Sequence, residues 1–256
     1  MRFRALVLPF IVAALVVQSG PALAGDPTAV EFAMGSYRGF FLSSLTGETG
    51  PFSFDLTETH NRQLNGTLMV TGMDFPFHVT VAASHVFNAV GNGGSFVAHG
   101  MVDVMPDGSS ISMADYRLGA DRGKLLFLHP VPTANPAKLS DMYQGSFLRD
   151  DGQTGQLIIV VRQDGSSFQG MATFLIDTGQ PDLLPITLPY LATVGAAGEK
   201  GAPIHVISLT PFASLTADAM LTLNGNIMGT VRVMFGDGSV HVARFDLVPP
   251  SPITTH

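Results

Sequence analysis

Histidine gives this chain its most versatile candidate side chains, because imidazole binds metal ions and exchanges protons near neutral pH. The chain has eight: His60, His78, His85, His99, His129, His205, His241 and His256. None has the H-E-x-x-H or H-x-H spacing that builds a zinc site from one element. His78 and His241 fall on the polar phase of predicted strands. We therefore expect solvent-facing histidines and no metal site.

A second candidate for metal binding is the acidic segment 150–155, Asp-Asp-Gly-Gln-Thr-Gly. It has the composition of a calcium loop but lacks the alternating oxygen ligands and the closing glutamate of an EF-hand. The matching segment 45–50 in the first half of the chain has no aspartate. A hairpin loop explains both copies.

Signatures of catalysis are absent from the sequence. There is no Gly-x-Ser-x-Gly elbow for a serine nucleophile and no cysteine for thiol chemistry. Only four glutamates occur, and several aspartates stand beside glycine in predicted turns. The glycine-rich segment 91–94 has neither a lysine nor a following helix, so it is not a phosphate cradle. These residues favour a binding protein over an enzyme, with no catalytic residues and no cofactor.

The best lead for binding is an apolar, proline-rich segment at 181–191, followed by a glycine-rich tip at 195–201. Long insertions on a rigid scaffold often carry function. This one could be a surface patch for a partner or a lid over an apolar cavity. The alternative is one extra strand at 186–194 that joins the sheet.

Two tyrosines stand in a repeated Tyr-x-Gly-x-Phe pattern, at 37–41 and 143–147. Tyr and Phe share one strand face there, and the glycine between them leaves room for a ring or another backbone. Core packing with the hydroxyl at the rim is favoured over stacking on a ligand. The candidate residues for ligand or partner contact are Tyr37, Tyr143, Leu183, Leu184, Leu188 and Tyr190.

Residues 1–24 predict a secretory signal peptide. Two arginines near the start precede an apolar run of 13 residues, and Ala22-Leu23-Ala24 offers a cleavage site. The run is shorter than the roughly 20 residues needed to span a bilayer. We therefore expect export to the bacterial periplasm or the medium and no stable membrane span after cleavage.

The composition limits the possible partners. Without residues 1–24 the net charge is −9, and only three lysines are present. Such a chain lacks the basic footprint for nucleic acid or an anionic membrane. The expected partner is an unknown protein or an apolar small molecule. The absence of cysteine fits a bacterial exported protein whose core is large enough without disulfides.

Alternation of apolar and polar residues predicts an all-β fold. Phe52, Phe54 and Leu56 alternate with polar residues, as half-buried strands do. Asp-Gly pairs at 107–108, 151–152, 164–165 and 237–238 mark tight hairpins. No sustained helical stripe follows the signal segment. The pattern predicts an antiparallel meander barrel or sandwich.

The chain is internally duplicated. Segment 35–42 returns at 141–148 with an offset of 106, and 100–118 matches 229–247 with an offset of 129. The repeat is too long for a solenoid, so two related units are expected. We place unit 1 at 25–136 and unit 2 at 137–256, joined near 131–136, with an insertion around 177–203 in unit 2. Two separate barrels, or two halves of one closed structure, both fit.

Within the last repeated block the apolar phase slips by one residue in both copies. Ile111 and Met113 are followed by Tyr116 and Leu118, and Val240 and Val242 by Phe245 and Leu247. Because a one-residue slip turns every side chain to the other face, we predict β-bulges at 114–115 and 243–244. The alternative is that each strand ends there.

Three functions fit the sequence. The first is an exported, non-catalytic binding or surface-interaction protein. The second is a barrel that holds an apolar small molecule, or acts on it as an isomerase or hydrolase. The third is an outer-membrane barrel, which the absence of Trp and the scarcity of Tyr for interfacial girdles count against.

Overall fold

In the computed structural model, the described residues are 34–58, 64–70, 73–82, 85–130, 133, 135–179 and 184–250. The predicted signal peptide lies outside them. Sixteen antiparallel strands form two closed barrels of eight strands each, and in each barrel neighbours in sequence are neighbours in space. The all-β, internally duplicated fold is confirmed, as two barrels. No helix within these ranges is long and apolar enough to cross a membrane.

The first barrel contains eight strands: β1 (Gly35–Ser43), β2 (Thr49–Glu58), β3 (Leu64–Val70), β4 (Met73–Val81), β5 (Val86–Gly91), β6 (Phe96–Val104), β7 (Ser110–Leu118) and β8 (Asp121–His129). Pairing of β1 with β8 closes it. Apolar side chains point inward and polar ones outward. Phe52, Phe54 and Leu56 of β2 are buried, for example, whereas Asp55 and Thr57 are exposed.

The second barrel repeats this order with β9 (Met142–Arg149), β10 (Thr154–Asp164), β11 (Ser167–Ile176), β12 (Leu184–Val194), β13 (Ala202–Leu209), β14 (Ala213–Leu221), β15 (Ile227–Phe235) and β16 (Val240–Val248). It closes through β16 and β9. The joint between the barrels is the segment 130–141.

The repeated glycines allow each barrel to close. A Cβ on Gly39 would lie 2.4 Å from the carbonyl oxygen of Leu126, and one on Gly145 would lie 1.9 Å from that of Asp246. Both distances are far inside van der Waals contact. The closing strand therefore approaches at the glycine of each Tyr-x-Gly-x-Phe pattern, as expected for a glycine that admits another backbone.

The strand order corrects the alignment of the last repeated block. Segment 100–118 belongs to β6 and β7, whereas 229–247 belongs to β15 and β16, the seventh and eighth strands of their barrel. The two hairpins that match in sequence are therefore displaced by one strand: they are strands six and seven in the first barrel and strands seven and eight in the second. Successive hairpins of a meander share alternation and Asp-Gly turns, so a sequence match can slip from one hairpin to the next.

The segment 177–203, predicted as an insertion, contains a strand of the barrel wall. Its centre is β12, which begins at Leu184 and is the fourth strand of the second barrel, as β4 is of the first. The alternative of a strand within the sheet is therefore what the structure has, and β12 is a wall strand, paired with β11 and β13.

The predicted β-bulges are wrong. Ala114 pairs in unbroken register with Gly100 and Leu125, and Ala243 does so with Val231 and Arg149. The phase slip in β7 has another cause, since the first half of β7 is buried on both faces: Ala114 lies in the first barrel's core, whereas Ile111 packs outside it. In β16, the exposed Val240 and Val242 point away from the barrel core.

The two barrels share an apolar seam. Phe40, Ile111, Leu126 and Leu128 project outward from the first barrel and pack with the same cluster from the second, Leu191, Ile207 and Leu209. Burial of these outward-facing side chains removes apolar area from water and stabilises the arrangement of the two barrels.

One buried histidine also lies at this seam. Nδ1 of His205 on β13 is 2.7 Å from Oδ1 of Asp218 on β14. Its Nε2 is 3.3 Å from Oδ2 of Asp107, which the first barrel contributes from the β6–β7 turn. That second contact is an ion pair without good hydrogen-bond alignment. His205 is therefore held between carboxylates of both barrels.

Candidate functional site

The two barrels can be compared position by position through their backbone pairing. At the closing strands, Gly39 pairs with Phe127 and Gly145 with Leu247. Four residues further along the first strand of each barrel, Ser43 pairs with Gly123 and Arg149 with Ala243. Position 43 of the first barrel therefore corresponds to position 149 of the second.

The same pairing matches two further positions across the seventh and eighth strands. Tyr116 and Val231 are equivalent because they pair with Gly123 and Ala243. Asp121 pairs with Leu118, and His241 pairs with the equivalent Val233. At one end of the barrel, Ser43, Tyr116 and Asp121 of the first copy are thus Arg149, Val231 and His241 in the second.

In the first barrel this end is closed by a hydrogen-bonded group. Asp121 accepts a hydrogen bond from the Ser43 hydroxyl and another from the Tyr116 hydroxyl, each at 2.8 Å. Burial and the neighbouring Asp121 raise the pKa of Tyr116, so its hydroxyl stays protonated and donates. The Tyr116 ring fits because residue 123 is glycine; a Cβ there would lie 2.8 Å from the ring.

The interior of the first barrel is filled by aromatic rings. Six phenylalanines are buried in its core: Phe52, Phe54, Phe77, Phe87, Phe96 and Phe127. Phe127 makes edge contacts with several of them, with a centroid distance of 5.2 Å to Phe54. The remaining internal space is about 40 Å³ and is lined only by apolar residues. It is far smaller than the roughly 300–1,000 Å³ of ligand pockets.

The second barrel is open at the equivalent end. A cavity of about 640 Å³ lies there, and its volume falls within the usual range for small-molecule sites. The core beneath it holds only two buried phenylalanines, Phe147 and Phe168. Val231 stands where the first barrel has Tyr116, and Leu215, paired with Ser208 as Phe96 is with Gly91, stands where it has Phe96. Both smaller side chains border the cavity, together with Thr210, Pro211 and Phe212 of the β13–β14 turn.

Most of the lining is apolar. It comes from seven strands of the second barrel, from the β9–β10 and β13–β14 turns, and from Thr49 of the first barrel. The apolar lining includes Phe147, Phe174, Ile176, Leu188, Leu215, Val231, Val233 and Phe235. Phe212, in the β13–β14 turn at the rim, is 78% exposed. Such a concave surface exposes apolar side chains to water when it is empty. An apolar molecule that fills it removes this area from water, which stabilises the complex.

A polar group lies on one side of the mouth, where β9, β10 and β16 meet. Arg149, Gln153 and His241 line the cavity. Nε of Arg149 donates to Oδ1 of Asp151 at 2.8 Å, and a second guanidinium nitrogen contacts the other carboxylate oxygen. Nδ1 of His241 is 3.2 Å from Oδ1 of Asp150. The two aspartates, which do not line the cavity, thus contact both basic side chains from outside it.

The pKa shifts agree with these contacts. The hydrogen bond from Arg149 is the main cause that lowers the pKa of Asp151. The contact with His241 is the main cause that lowers the pKa of Asp150. The same pairing with Asp151 raises the pKa of Arg149 further. Arg149 and Asp151 are therefore both charged at neutral pH.

Deeper in the wall, Ser208 is buried and its hydroxyl has no hydrogen-bond partner among the described residues. Ser208 lines the cavity and corresponds to Gly91 of the first barrel. Ser208 pairs with Leu215, and Gly91 pairs with the equivalent Phe96. An unpaired buried hydroxyl costs about 1–3 kcal/mol, which a hydrogen-bonding partner would offset.

Within the described ranges, one group of side chains is close enough to share a metal ion. Its members are Asp150, Asp151 and His241, with ligand atoms within 4.8 Å of one another. Both aspartates are exposed, and Asp151 is already neutralised by Arg149. A hairpin loop therefore still explains segment 150–155, and the arrangement of its charges favours fixing Arg149 and His241 over binding an ion.

The six candidate residues from the sequence occupy different places. Tyr37 and Tyr143 are buried core residues, stacked on Phe54 and hydrogen-bonded to the Ser140 amide, respectively. Tyr190 is also buried, and its hydroxyl donates to the carbonyl oxygen of Val160 at 2.8 Å. None of the three lines the large cavity.

The three candidate leucines also lie in different places. Leu188 lines the cavity, Leu184 is the first residue of β12, and Leu183 lies outside the described residues. The apolar segment thus contributes through the barrel wall: Pro185, Ile186, Thr187, Leu188 and Pro189 all border the cavity.

Sequence reasoning missed Arg149 and His241. His241 was assigned to the polar, solvent-facing phase of β16, but it lies on the inner phase with Ala243 and Leu247. The error follows from assuming that the valines at 240 and 242 face inward. An alignment of β8 with β16 would have set His241 opposite Asp121 and marked the position as one where the copies differ.

No family model matches the chain, and no curated protein matches it. Two solved structures are similar in part. A protein of unknown function of the DUF3598 family from Nostoc punctiforme has 14% identity, covering 86% of this chain and 97% of its own, at a TM-score of 0.27. A Bacteroides fragilis protein proposed to be an outer membrane protein has 11% identity, covering 85% and 98%, at a TM-score of 0.31.

Proposed function

We propose that this protein binds an apolar small molecule in the open end of its second barrel, and that the first barrel is a structural support. One observation carries the proposal: a cavity of about 640 Å³ lies at the end of the second barrel, whereas Ser43, Tyr116 and Asp121 close the equivalent end of the first. A barrel that needed only stability would gain from filling this space, because empty cavities lower stability.

The lining supports binding of a small molecule better than catalysis. Arg149 and His241 are the ionisable groups of the lining within the described ranges, and each is already engaged by an aspartate outside it. The pair of carboxylates that hydrolysis of a glycosidic bond would require does not border the cavity in these ranges. The chemistry that the lining offers is apolar contact with a few polar anchors.

Two other functions receive less support. A surface interaction through the segment 177–203 would require that segment to be free, but β12 forms part of the barrel wall. In a lipid-facing barrel, apolar residues point outward over a continuous band. Here the phenylalanines fill the first barrel and polar residues such as Asp55 and Thr57 face outward. The predicted signal peptide still supports an exported protein.

A titration with an uncharged fluorescent probe, N-phenyl-1-naphthylamine, tests the proposal. We expect saturable binding with one site per chain. The double variant Leu215→Phe/Val233→Phe places larger rings in the cavity and should weaken binding at least about tenfold, equivalent to about 1.4 kcal/mol. Thr230→Phe, which adds a ring to the exposed face of β15, is the matched control and should bind as the unchanged protein does.

Equal binding by the unchanged protein and the double variant would contradict the proposal. It would show that the probe binds elsewhere, for example on the exposed apolar residues of the outer surface. Circular dichroism of each variant establishes that the β-structure is kept.

A further inference from the structure

The polar side of the cavity mouth points to a specific class of ligand. We infer that the molecule bound in the second barrel is an apolar carboxylic acid, whose carboxylate lies against Arg149, Gln153 and His241 while its apolar body fills the barrel end. This inference rests on the proposed function and adds the chemistry of the ligand's polar group.

The first argument is the sign of the charges on the lining. The protein is acidic, with 20 Asp and Glu against 13 Lys and Arg. Among the described residues that line the cavity, however, there is no aspartate or glutamate, and Arg149 and the ionisable His241 are both basic. Asp150 and Asp151, which pair with these two groups, do not line the cavity, so the ionisable groups that a ligand meets are donors, which favour an anionic ligand over a cationic one.

The second argument is the direction of the hydrogen bonds behind the basic groups. Asp151 takes Nε and one terminal nitrogen of Arg149, which leaves the other terminal nitrogen of this lining residue available to donate to a ligand. Asp150 takes Nδ1 of His241, which directs the ring's other nitrogen away from that carboxylate. Gln153 adds an amide, and its backbone N–H donates to Asp151. The hairpin thus orients its side-chain donors.

The third argument comes from the first barrel, which carries its own carboxylate at the corresponding layer. There, Asp121 accepts hydrogen bonds from Ser43 and Tyr116. In the second barrel the acid at position 121 is replaced by His241, and the hydroxyl at position 43 by Arg149. At these two positions basic donors stand where the first barrel has a carboxylate and a hydroxyl, as expected if the ligand supplies a carboxylate.

The desolvation of Arg149 fits the same assignment. Its side chain is only 25% exposed, and Asp151 pairs with two of its three guanidinium nitrogens. A ligand carboxylate at the remaining N–H groups would make charge-assisted hydrogen bonds. An alcohol of the same size would make only neutral-acceptor contacts there.

Competition with a matched acid and alcohol tests the inference. Bound N-phenyl-1-naphthylamine is displaced at neutral pH by decanoic acid or by 1-decanol, which differ only in the polar end. We expect the acid to bind at least about tenfold more tightly than the alcohol, in keeping with the strength of charge-assisted hydrogen bonds. Arg149→Gln should remove this preference and leave the alcohol's affinity within about twofold.

Two further variants keep the test decisive. Arg244→Gln removes the same charge from the exposed outer face of β16 and should keep the preference for the acid. Asp151→Asn frees Arg149 from its pairing and should increase the affinity for the acid but not for the alcohol. If Arg149→Gln did not fold, the Asp151→Asn result would still decide.

The outcomes separate the two proposals. If acid and alcohol bind equally in the unchanged protein and in Asp151→Asn, the carboxylate inference is wrong and the binding of an apolar molecule stands. If neither the probe nor the competitors bind, the proposed function itself is wrong.

Discussion

The two barrels share one meander and one closing pattern, yet they differ in what fills them. The first buries six phenylalanines and closes its end with Ser43, Tyr116 and Asp121. The second buries two phenylalanines and carries Arg149, Val231 and His241 at the same positions, around a large cavity. A duplicated scaffold can thus keep the end of one copy closed and leave the end of the other open.

The difference between the two barrels lies at one end of each. The backbone registers of the equivalent strands agree at the closing glycines and across the last two hairpins. At these paired positions the closed and open ends differ in their side chains, and the connection between the third and fourth strands is also longer in the second barrel, 177–183 against 71–72. Exchange of side chains between the copies should alter the cavity in a predictable direction.

The largest contrast should appear in stability. Phe127 contacts four aromatic rings, Tyr37, Phe52, Phe54 and Phe87, in the closed barrel. Phe127→Ala should lower the free energy of unfolding by about 3–5 kcal/mol, as expected for a core phenylalanine. Phe174→Ala, beside the cavity, should cost about 1–2 kcal/mol because its ring already faces open space.

Urea unfolding of both variants gives this comparison. Equal losses for Phe127→Ala and Phe174→Ala would contradict the difference in packing between the barrels.

The second contrast concerns the residue beneath the tyrosine. In Gly123→Ala the new Cβ would lie 1.8 Å from the Leu42 carbonyl oxygen and 2.8 Å from the Tyr116 ring. The strand must shift, and we expect a loss of about 1–3 kcal/mol. The reciprocal change Ala243→Gly meets no such contact and should cost only about 0.5–1 kcal/mol. Thermal unfolding of the two variants measures the asymmetry; a neutral Gly123→Ala would refute the closed end.

The smallest expected effect lies at the seam between the barrels. Burial alone would lower the pKa of His205, but the carboxylates of Asp107 and Asp218 outweigh it, and the pKa is raised above 6.5. Burial alone would raise the pKa of Asp107, but contacts with His205 and Ser109 hold it at about 2 instead of 3.8. Protonated His205 and ionised Asp107 therefore attract each other across the seam.

The sign of the pH dependence follows from these shifts. The raised pKa of His205 gives stability that is complete below pH 6.5 and is lost as pH rises through the folded value. The lowered pKa of Asp107 gives stability that is complete above pH 3.8 and is lost as pH falls toward 2. The contact should be strongest between pH 3.8 and 6.5 and contribute about 1 kcal/mol, since Asp218 is largely exposed.

Urea midpoints across pH measure this contribution. His205→Gln should flatten the profile above pH 6.5, whereas His99→Gln, at an exposed position of the first barrel, should leave it unchanged. An unchanged profile in His205→Gln would show that the histidine does not stabilise the seam.

Much of the fold could be predicted from local patterns. Alternation at Phe52, Phe54 and Leu56 gives strands with one buried face, and Asp-Gly pairs give hairpins, because both depend on neighbouring residues. The duplication was visible in the Tyr-x-Gly-x-Phe patterns. Neither pattern specifies which hairpin of one copy matches which of the other, since all hairpins of a meander look alike.

The seam had a weaker signal. Residues 125–128 of β8 read Leu-Leu-Phe-Leu, a continuous apolar run that indicates burial on both faces. In the structure Leu125 and Phe127 face the first barrel's core, and Leu126 and Leu128 face the second barrel. The run therefore marked a strand between two cores.

The site could not be predicted, because it depends on which side chains share a layer. Val231 opens space only because it stands at the level of His241 and Ala243, and that level is set by register. In the sequence Arg149 stands directly before the predicted hairpin segment 150–155, and nothing in this spacing shows that its side chain borders the cavity. Long-range pairing, which is not encoded in local spacing, decides both facts.

The central claim is that the second barrel, and not the first, holds the ligand, and methyl NMR tests it most directly. Titration of the methyl-labelled protein with decanoic acid should shift the methyl resonances of Leu188, Leu215, Val231 and Val233, which line the open cavity. The methyls of Leu56, Leu68, Val79 and Leu125, inside the closed barrel, should not move. Shifts confined to the second group, or to exposed methyls such as those of Val160, would contradict the account.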